Sequence, residues 1–324
     1  MRKLFVCLLL WGGLLFAPVG AKAAEPLRLG LPRSMDATVV YMAEHEGYFR
    51  DEGVDVRITF NAHSRISNDA VIAGHADASG TTDGPLTYLS FNADHPLRVV
   101  AQTGSAPETT LVARKDEGIT TEADIRGKRI GYLPGTGSYL FLERLLEKLG
   151  LQMGDIQPVV LQPSAMPLTL QGKSIDAFVM WEPWADQAAK ALGDNAVQFR
   201  CPDAHVYKVL LVVADGFAKK HPDKIAAVLR ALLKAEVWVK DHPDETIRVM
   251  SQLLSLDEAV IRKHWKDYDF TVGLDDSILT TMREDARYVI RDDPNFAGKA
   301  IPDFNRYIEP KFLREVAPER VTLP

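Results

Sequence analysis

Between Leu27 and about Val213 the chain alternates short apolar segments with helical ones, and this alternation restricts the fold more than any other feature. Segments such as Leu27–Leu31 and Thr110–Arg114 have the length and composition of buried strands. Strands that alternate with helices form an α/β sheet with helices on both faces. After Phe217 helical patterns follow one another without strands. We therefore predict two α/β halves followed by a helical C-terminal region.

One helix of the second half has a clear apolar face. In the segment Gly127–Gly150 (GKRIGYLPGTGSYLFLERLLEKLG), leucines at 142, 145, 146 and 149 are spaced as on one face of a helix. The same spacing places the charged residues on the opposite face: Glu143, Arg144, Glu147 and Lys148. The sequence therefore predicts an amphipathic helix that begins near Gly137.

The turn Gly135–Ser138, which opens this helix, is a candidate anion site. Backbone N–H groups at a helix start have no partner within the helix and favour a bound anion. The turn lacks the lysine of a GxxxxGK phosphate loop, and Leu140 stands where a dinucleotide fingerprint needs a third glycine. These departures exclude both nucleotide-binding motifs. Two interpretations remain: an anion site, or an ordinary connection that uses glycine for its backbone freedom.

The first residues resemble a cleaved secretory signal peptide. Arg2 and Lys3 precede an apolar run from Leu4 to Phe16, and Ala21-Lys22-Ala23 ends the segment with small residues. Cleavage after Ala23 would leave 301 of the 324 residues, enough for two domains. Removing the three basic residues of the segment takes the formal net charge from −6 to −9, which argues against a nucleic-acid partner. The mature chain has no further apolar membrane-spanning segment, so we do not expect it to be membrane-embedded.

The sequence contains no recognisable catalytic or metal-binding motif. HExxH, GxSxG and paired CxxC patterns are absent, and the eight histidines are not spaced as metal ligands. Cys201 is the only cysteine of the mature chain, which excludes an intramolecular disulfide. We therefore expect no catalytic residue, no metal and no cofactor, and we expect most of the histidines to be solvated surface groups.

Several short segments together resemble one protein family. They are YMAEHEGYF at 41–49 with EGVDV at 52–56, AGHAD at 73–77, DIRGKRIG at 124–131 and GKSIDA at 172–177. On these segments the chain resembles the type II periplasmic solute-binding proteins of the nitrate/sulfonate/taurine ABC import group, which also includes binders of the thiamine pyrimidine precursor. The resemblance covers nearly the whole mature chain.

This resemblance implies an α/β, two-lobed Venus-flytrap fold of the type II periplasmic-binding class. The chain then crosses between lobes near Ala106–Thr110 and near Cys201–Tyr207, so residues 24–107 and 205–324 form one lobe and residues 108–204 the other. It also implies a monomeric periplasmic receptor that closes on a small solute and delivers it to an ABC permease with its cytoplasmic ATPase. Catalysis is not implied.

Four loops at the carboxyl ends of predicted strands resemble the ligand loops of this family, and ligands of open α/β sheets lie at those ends. They contribute eleven candidate ligand-binding residues: Ser34, Met35, Asp36, Thr81, Thr82, Asp83, Gly137, Ser138, Tyr139, Trp181 and Glu182. Ser138 would donate to an anion, whereas Asp36 or Glu182 would meet a ligand ammonium. Each of these polar residues has helix capping as its alternative role, and core packing is the alternative for the tryptophan.

The sequence leaves several functions open. The leading interpretation is a transport receptor for a small anionic or zwitterionic solute, such as a sulfonate or taurine. A pyrimidine-precursor binder or a synthase-like enzyme is the alternative, although the chain lacks the cysteine-rich motif of the synthase relatives. A ligand-sensing subunit of a membrane sensor is a further alternative. His205 and Tyr207 lie near a predicted crossing and rank below the eleven candidates.

Overall fold

The structure is a computed structural model that describes residues 25–92, 95–107, 110–200 and 206–323. The predicted signal segment lies outside the described residues, as do Cys201 and His205. In the described part of the chain, no helix combines the length and the apolar composition needed to cross a membrane.

The described residues form ten strands in two mixed five-stranded sheets. The strands are β1 Leu27–Pro32, β2 Val56–Asn61, β3 Ala78–Thr82, β4 Leu97–Pro107, β5 Thr110–Arg114, β6 Arg129–Tyr132, β7 Gln157–Val160, β8 Ala177–Met180, β9 Ala196–Arg200 and β10 Val206–Ala214. The first sheet has the order β2-β1-β3-β10-β4 and the second the order β7-β6-β8-β5-β9. Each sheet joins a parallel part to an antiparallel part.

Thirteen α-helices cover these sheets in the described ranges. They are α1 Thr38–His45, α2 Tyr48–Asp51, α3 Ser64–Ile72, α4 Asp83–Ser90, α5 Gly137–Lys148, α6 Met166–Gln171, α7 Trp184–Leu192, α8 Asp215–Lys220, α9 Pro222–Asp241, α10 Pro243–Leu254, α11 Glu258–Trp265, α12 Ser277–Asp292 and α13 Lys311–Val316. The last six follow the last strand, so the predicted α/β class with a helical C-terminal region is confirmed.

The chain leaves the first sheet after β4 and returns to it at β10, and the whole second sheet lies between these strands. We call residues 25–107 and 206–323 lobe 1, because the C-terminal helices share its hydrophobic core. We call residues 110–200 lobe 2, whose apolar side chains form two clusters. The sequence-derived lobe boundaries stay a prediction, and this topology is compatible with them.

One ion pair recurs at the same place in both sheets. Asp77 precedes β3 and accepts hydrogen bonds from the backbone and side chain of Arg28 in β1, at 2.7–3.0 Å. Asp176 precedes β8 and accepts the equivalent bonds from Arg129 in β6. Burial alone would raise the pKa of each carboxyl. The hydrogen bonds and the charge of the partner arginine have the larger combined effect, so the pKa of each carboxyl is lowered. These pairs give the AGHAD and GKSIDA segments a structural role, since they join two neighbouring parallel strands.

Candidate functional site

A cleft lies between the lobes at the carboxyl ends of β1 and β3 in lobe 1 and of β6 in lobe 2. It encloses an empty volume of about 420 Å³, including the part open to solvent. The described residues that line it are Pro32, Ser34, Asp36, His63, Ser64, Thr82, Pro85, Thr136, Gly137, Trp181 and Tyr207. This position is the one at which open α/β sheets bind ligands.

The N-termini of four helical segments converge on this cleft. The residues that precede their first turns are Ser34, His63, Thr82 and Thr136, and none of these side chains caps its own helix. Thr136, for example, donates its hydroxyl to the carbonyl oxygen of Leu133 at 2.7 Å. Backbone N–H groups at helix starts carry partial positive charge and lack partners within the helix. The cleft is therefore suited to an anionic group held by backbone donors.

Asp36 is the only carboxylate among the described residues that line the cleft. Its Oδ1 accepts the hydroxyl of Tyr207 at 2.6 Å, and its Oδ2 accepts the hydroxyl of Ser34 at 3.0 Å. Burial raises the pKa of Asp36, although these two hydrogen bonds oppose the rise. The described lining contains no lysine or arginine. A cationic group of a solute would therefore find its charge partner at Asp36.

His63 is a cleft residue that the sequence analysis missed. It is 8% exposed, and its Nδ1 has no hydrogen-bond partner among the described residues. Burial and the charge of Arg65 lower the pKa of His63, so the imidazole is neutral at physiological pH. His63 is buried, as are His95 and His264, and these three are exceptions to the expectation that most histidines are surface groups. The available sequence signal for His63 was its position directly before the start of α3.

Five of the eleven predicted residues line the cleft, namely Ser34, Asp36, Thr82, Gly137 and Trp181. Five others do not line the cleft, because their side chains contact neighbouring residues of the fold instead: Met35, Thr81, Asp83, Ser138 and Tyr139. Met35 packs in a cluster with Ile247 and Met250. Thr81 accepts a hydrogen bond from the Asn68 amide at 2.9 Å. Tyr139 packs edge-to-face on Tyr88.

Asp83 and Ser138 are also held within the fold. Asp83 accepts the backbone N–H groups of Gly84 and Lys208, at 2.9 and 3.1 Å. Ser138 is fully buried, donates its hydroxyl to the carbonyl oxygen of Val179 at 2.7 Å and accepts the N–H of Leu133 at 3.3 Å. The side chain of Ser138 thus joins α5 to β8 and to the residue that follows β6, and within the turn Thr136 and Gly137 line the cleft.

We expect Ser138→Ala to lower the free energy of unfolding by about 1–3 kcal/mol and to leave solute affinity unchanged, because the variant loses a buried hydrogen bond. Urea unfolding and titration calorimetry measure the two effects. Ser64→Ala is the matched control, since Ser64 lines the cleft and its variant should lower affinity more than stability. A Ser138→Ala protein with wild-type stability and weakened binding would contradict this assignment.

Trp181 and Tyr207 line both the cleft and a second chamber, which contains Glu182. The described residues that line this chamber are Pro107, Thr110, Trp181, Glu182, Arg200, Tyr207, His264 and Tyr268, and its empty volume is about 360 Å³. Glu182 Oε2 accepts the N–H of Asp186, and Oε1 lies 3.4 Å from Nε2 of His264 on lobe 1. Glu182 therefore accepts a backbone N–H group in the first turn of α7, and it joins the lobes beside the cleft.

The sequence comparison identifies the family. Residues 34–246 match the family described as NMT1/THI5 like. The chain belongs to this family. It is 24% identical over 277 residues to a "Putative aliphatic sulfonates-binding protein" of Bacillus subtilis strain 168, covering 83% of this chain and 82% of that protein. It is 27% identical over 210 residues to 4-amino-5-hydroxymethyl-2-methylpyrimidine phosphate synthase of Schizosaccharomyces pombe, and this match spans 60% of each chain.

Solved structures of periplasmic binding proteins share the fold. The periplasmic aliphatic sulphonate binding protein SsuA from Escherichia coli superposes with a TM-score of 0.73 at 19% identity, covering 88% of this chain and 97% of that one. The periplasmic nitrate-binding protein NrtA from Synechocystis PCC 6803 gives a TM-score of 0.73 at 16% identity, covering 91% and 88%. These matches confirm the two-lobed periplasmic-binding fold. The family match over residues 34–246 and the Bacillus subtilis relative confirm the resemblance that the sequence segments indicated.

Proposed function

We propose that this protein is the periplasmic solute-binding receptor of an ABC importer and that it binds a small sulfonate or a related anionic or zwitterionic solute between its lobes. The observation that carries the proposal is the convergence of four uncapped helix starts on one interlobe cleft. Backbone donors of this kind bind an oxyanion without a side-chain cation. The sulfonate- and nitrate-binding proteins that share the fold support the same solute class.

A thermal-shift screen tests the solute class directly. The panel contains ethanesulfonate, taurine, nitrate, acetate and the hydroxymethyl pyrimidine. A solute at a hundred times its dissociation constant should stabilise the protein by about 2.7 kcal/mol. We expect a shift with at least one of the two sulfonates. A protein that shifts with no anion and turns over the pyrimidine precursor would overturn the receptor proposal.

Asp36 distinguishes a zwitterionic solute from a simple anion. Taurine and ethanesulfonate differ by one amine, so their affinities isolate the contribution of an ammonium group. If the solute is a zwitterion, Asp36→Asn should weaken taurine binding by about tenfold or more, because a charge-assisted hydrogen bond is lost. If the solute is a simple anion, the same substitution should tighten ethanesulfonate binding, since it removes a buried negative charge. Titration calorimetry of both ligands on both proteins measures the sign.

Tyr207→Phe is the control for this experiment. It removes the hydroxyl that bonds Asp36 but leaves the carboxyl in place. Its effect should therefore be similar for taurine and ethanesulfonate. If Asp36→Asn also changes both affinities equally, the carboxyl of Asp36 does not select between the two solute classes.

The pyrimidine-precursor function is the second candidate, and the aromatic part of the cleft favours it. Trp181 and Tyr207 line the cleft together with the neutral imidazole of His63. An aromatic heterocycle would stack on such side chains. The match to the fission-yeast synthase supports this candidate, and a thermal shift with the pyrimidine but not with the sulfonates would favour it.

Binding rather than catalysis is proposed because a receptor needs only the donors and walls described above. The partner of the closed form would be an ABC permease with its ATPase, and the protein would act as a monomer after removal of its signal peptide. A sensor subunit would use the same cleft. Co-purification with a permease expressed from a neighbouring gene separates the two partners.

A further inference from the structure

Helix α5 is buried on both of its faces, although its sequence predicts one apolar face and one polar face. Phe141, Leu142 and Leu145 lie in the core of lobe 2. On the opposite face Glu143 is 1% exposed and Arg144 is 7% exposed. The helix that packs against this polar face is α12, which belongs to lobe 1. The burial of these charges therefore depends on contact between the lobes.

Arg144 makes the central contact of this interface. Its Nη2 donates to Oδ1 of Asp285 in α12 at 2.7 Å, and the two side chains are 6% and 0% exposed. The guanidinium also lies over the ring of Tyr288, 4.9 Å from its centroid. A buried charge of this kind is tolerated only while its partner is present. Arg144 and Asp285 thus form a buried ion pair that joins residues of opposite lobes.

A second carboxyl connects this pair to the ligand cleft. Asp83 is 1% exposed and begins α4, directly after the cleft residue Thr82. It interacts electrostatically with both Arg144 and Asp285. Burial and the charge of Asp285 raise the pKa of Asp83, whereas Arg144 acts to lower it. Arg144 of lobe 2 therefore bonds Asp285 of lobe 1 directly, and its charge also acts on Asp83, whose carboxyl holds the start of a helix that faces the solute.

We propose that Arg144 and Asp285 form an interlobe latch that holds the closed receptor around its solute and sets the rate of solute release. The proposal rests on the proposed function, since it concerns closure of the same cleft. When the lobes separate, water solvates both groups. When they close, Asp285 loses that water and faces the guanidinium of Arg144. Arg144 is thus a positioning residue for the closed form and does not contact the solute.

The test measures the release of ethanesulfonate and the opening of the lobes in full-length mature protein. Arg144→Met should raise the dissociation rate constant of ethanesulfonate on the order of 100-fold, because the buried carboxyl of Asp285 loses the guanidinium that faces it from lobe 2. The association rate constant should change much less. X-ray scattering should give a larger radius of gyration for Arg144→Met than for wild type, both without solute and with saturating ethanesulfonate. A role confined to the stability of lobe 2 would not produce this shift in scattering.

Three further variants make the experiment decisive. Arg291→Gln is the matched control, because Arg291 crosses the same interface to Glu143 and Glu147 but is 48% exposed, so its dissociation rate should stay within about threefold of wild type. Arg144→Met combined with Asp285→Leu should recover to within about tenfold, since an apolar pair can replace a buried ion pair. If Arg144→Met does not fold, Asp285→Asn removes the charge at nearly constant shape and should show the same faster release.

A folded Arg144→Met protein with a wild-type radius of gyration and a dissociation rate within about threefold of wild type would overturn the latch. If wild type binds taurine but not ethanesulfonate, taurine takes the place of ethanesulfonate in these measurements. If wild type binds neither sulfonate, the proposed function fails instead, and the latch is judged on scattering without solute. A larger radius of gyration in Arg144→Met than in wild type then supports it, and equal values overturn it.

Discussion

Replacing Gly84 by leucine is expected to weaken solute binding by at least about 100-fold, equivalent to about 2.7 kcal/mol. Gly84 lies in the first turn of α4 and faces the first turn of α5 across the cleft. A Cβ atom at this position would come within 2.9 Å of Leu140 Cδ1 and 3.5 Å of the backbone nitrogen of Gly137. Leu140 is fully buried, and the three further carbon atoms of a leucine side chain need space between the two helices, so we expect the substitution to separate the lobes. The measurements are titration calorimetry and X-ray scattering with saturating solute.

Gly216 provides a matched control for this substitution. Like Gly84, it is the second residue of its helix and follows an aspartate, but a Cβ atom there would meet no neighbouring group within 4 Å. Gly216→Leu should therefore keep wild-type affinity. Both variants should keep the circular dichroism spectrum of the folded protein. Equal affinities of the Gly84 and Gly216 variants would show that α4 and α5 do not meet when the solute binds.

The free energy of unfolding should depend on pH through both Glu182 and His264. The two dependences have opposite signs, so they should cancel in the wild-type protein. Burial raises the pKa of Glu182 from its usual 4.5 to about 7. Its contribution to stability is therefore complete below pH 4.5 and is lost as the pH rises to 7, a change of about 3 kcal/mol. Burial, with the charges of Arg200 and Lys263, lowers the pKa of His264 from 6.5 to about 4. The contribution of His264 is complete above pH 6.5 and is lost as the pH falls to 4.

Single substitutions should expose each slope separately. In Glu182→Gln only the histidine remains, so the free energy of unfolding should rise between pH 4 and 6.5. In His264→Gln only the carboxyl of Glu182 remains, so the free energy of unfolding should fall between pH 4.5 and 7. Urea unfolding at several pH values measures both slopes, and the double variant supplies the background from other groups. Parallel slopes in all the proteins would mean that these two groups titrate as they do in water.

The sequence predicted the α/β architecture and the helical C-terminal region because both follow from local periodicity. It did not predict β7, an exposed edge strand that contains Pro158 and lacks the apolar character of a buried strand. It also did not predict that Glu143 and Arg144 are buried. Their burial depends on α12, which follows more than 120 residues later in the chain.

The candidate site was partly predictable for the same reason. Strand ends and helix starts placed Ser34, Thr82 and Gly137 at the cleft, because backbone geometry fixes these positions. Side-chain direction decided the rest: Ser138 turns into the fold to bond Val179, and His63 turns into the cleft. Neither direction follows from residue type or spacing. The eleven residues stay a prediction for solute contact until the variants above are measured.

The position of β10 also has a consequence for the order of folding. This strand lies between β3 and β4 in the sheet of lobe 1, but it follows the last strand of lobe 2 in the chain. Lobe 2 is contiguous and has all its strands before β10 is available. Lobe 1 must instead bring β10 into a gap between two strands that precede it by about 100 residues, and such non-local pairing is slow. We therefore expect lobe 2 to fold first and lobe 1 to remain incomplete until the chain has passed through its partner and returned.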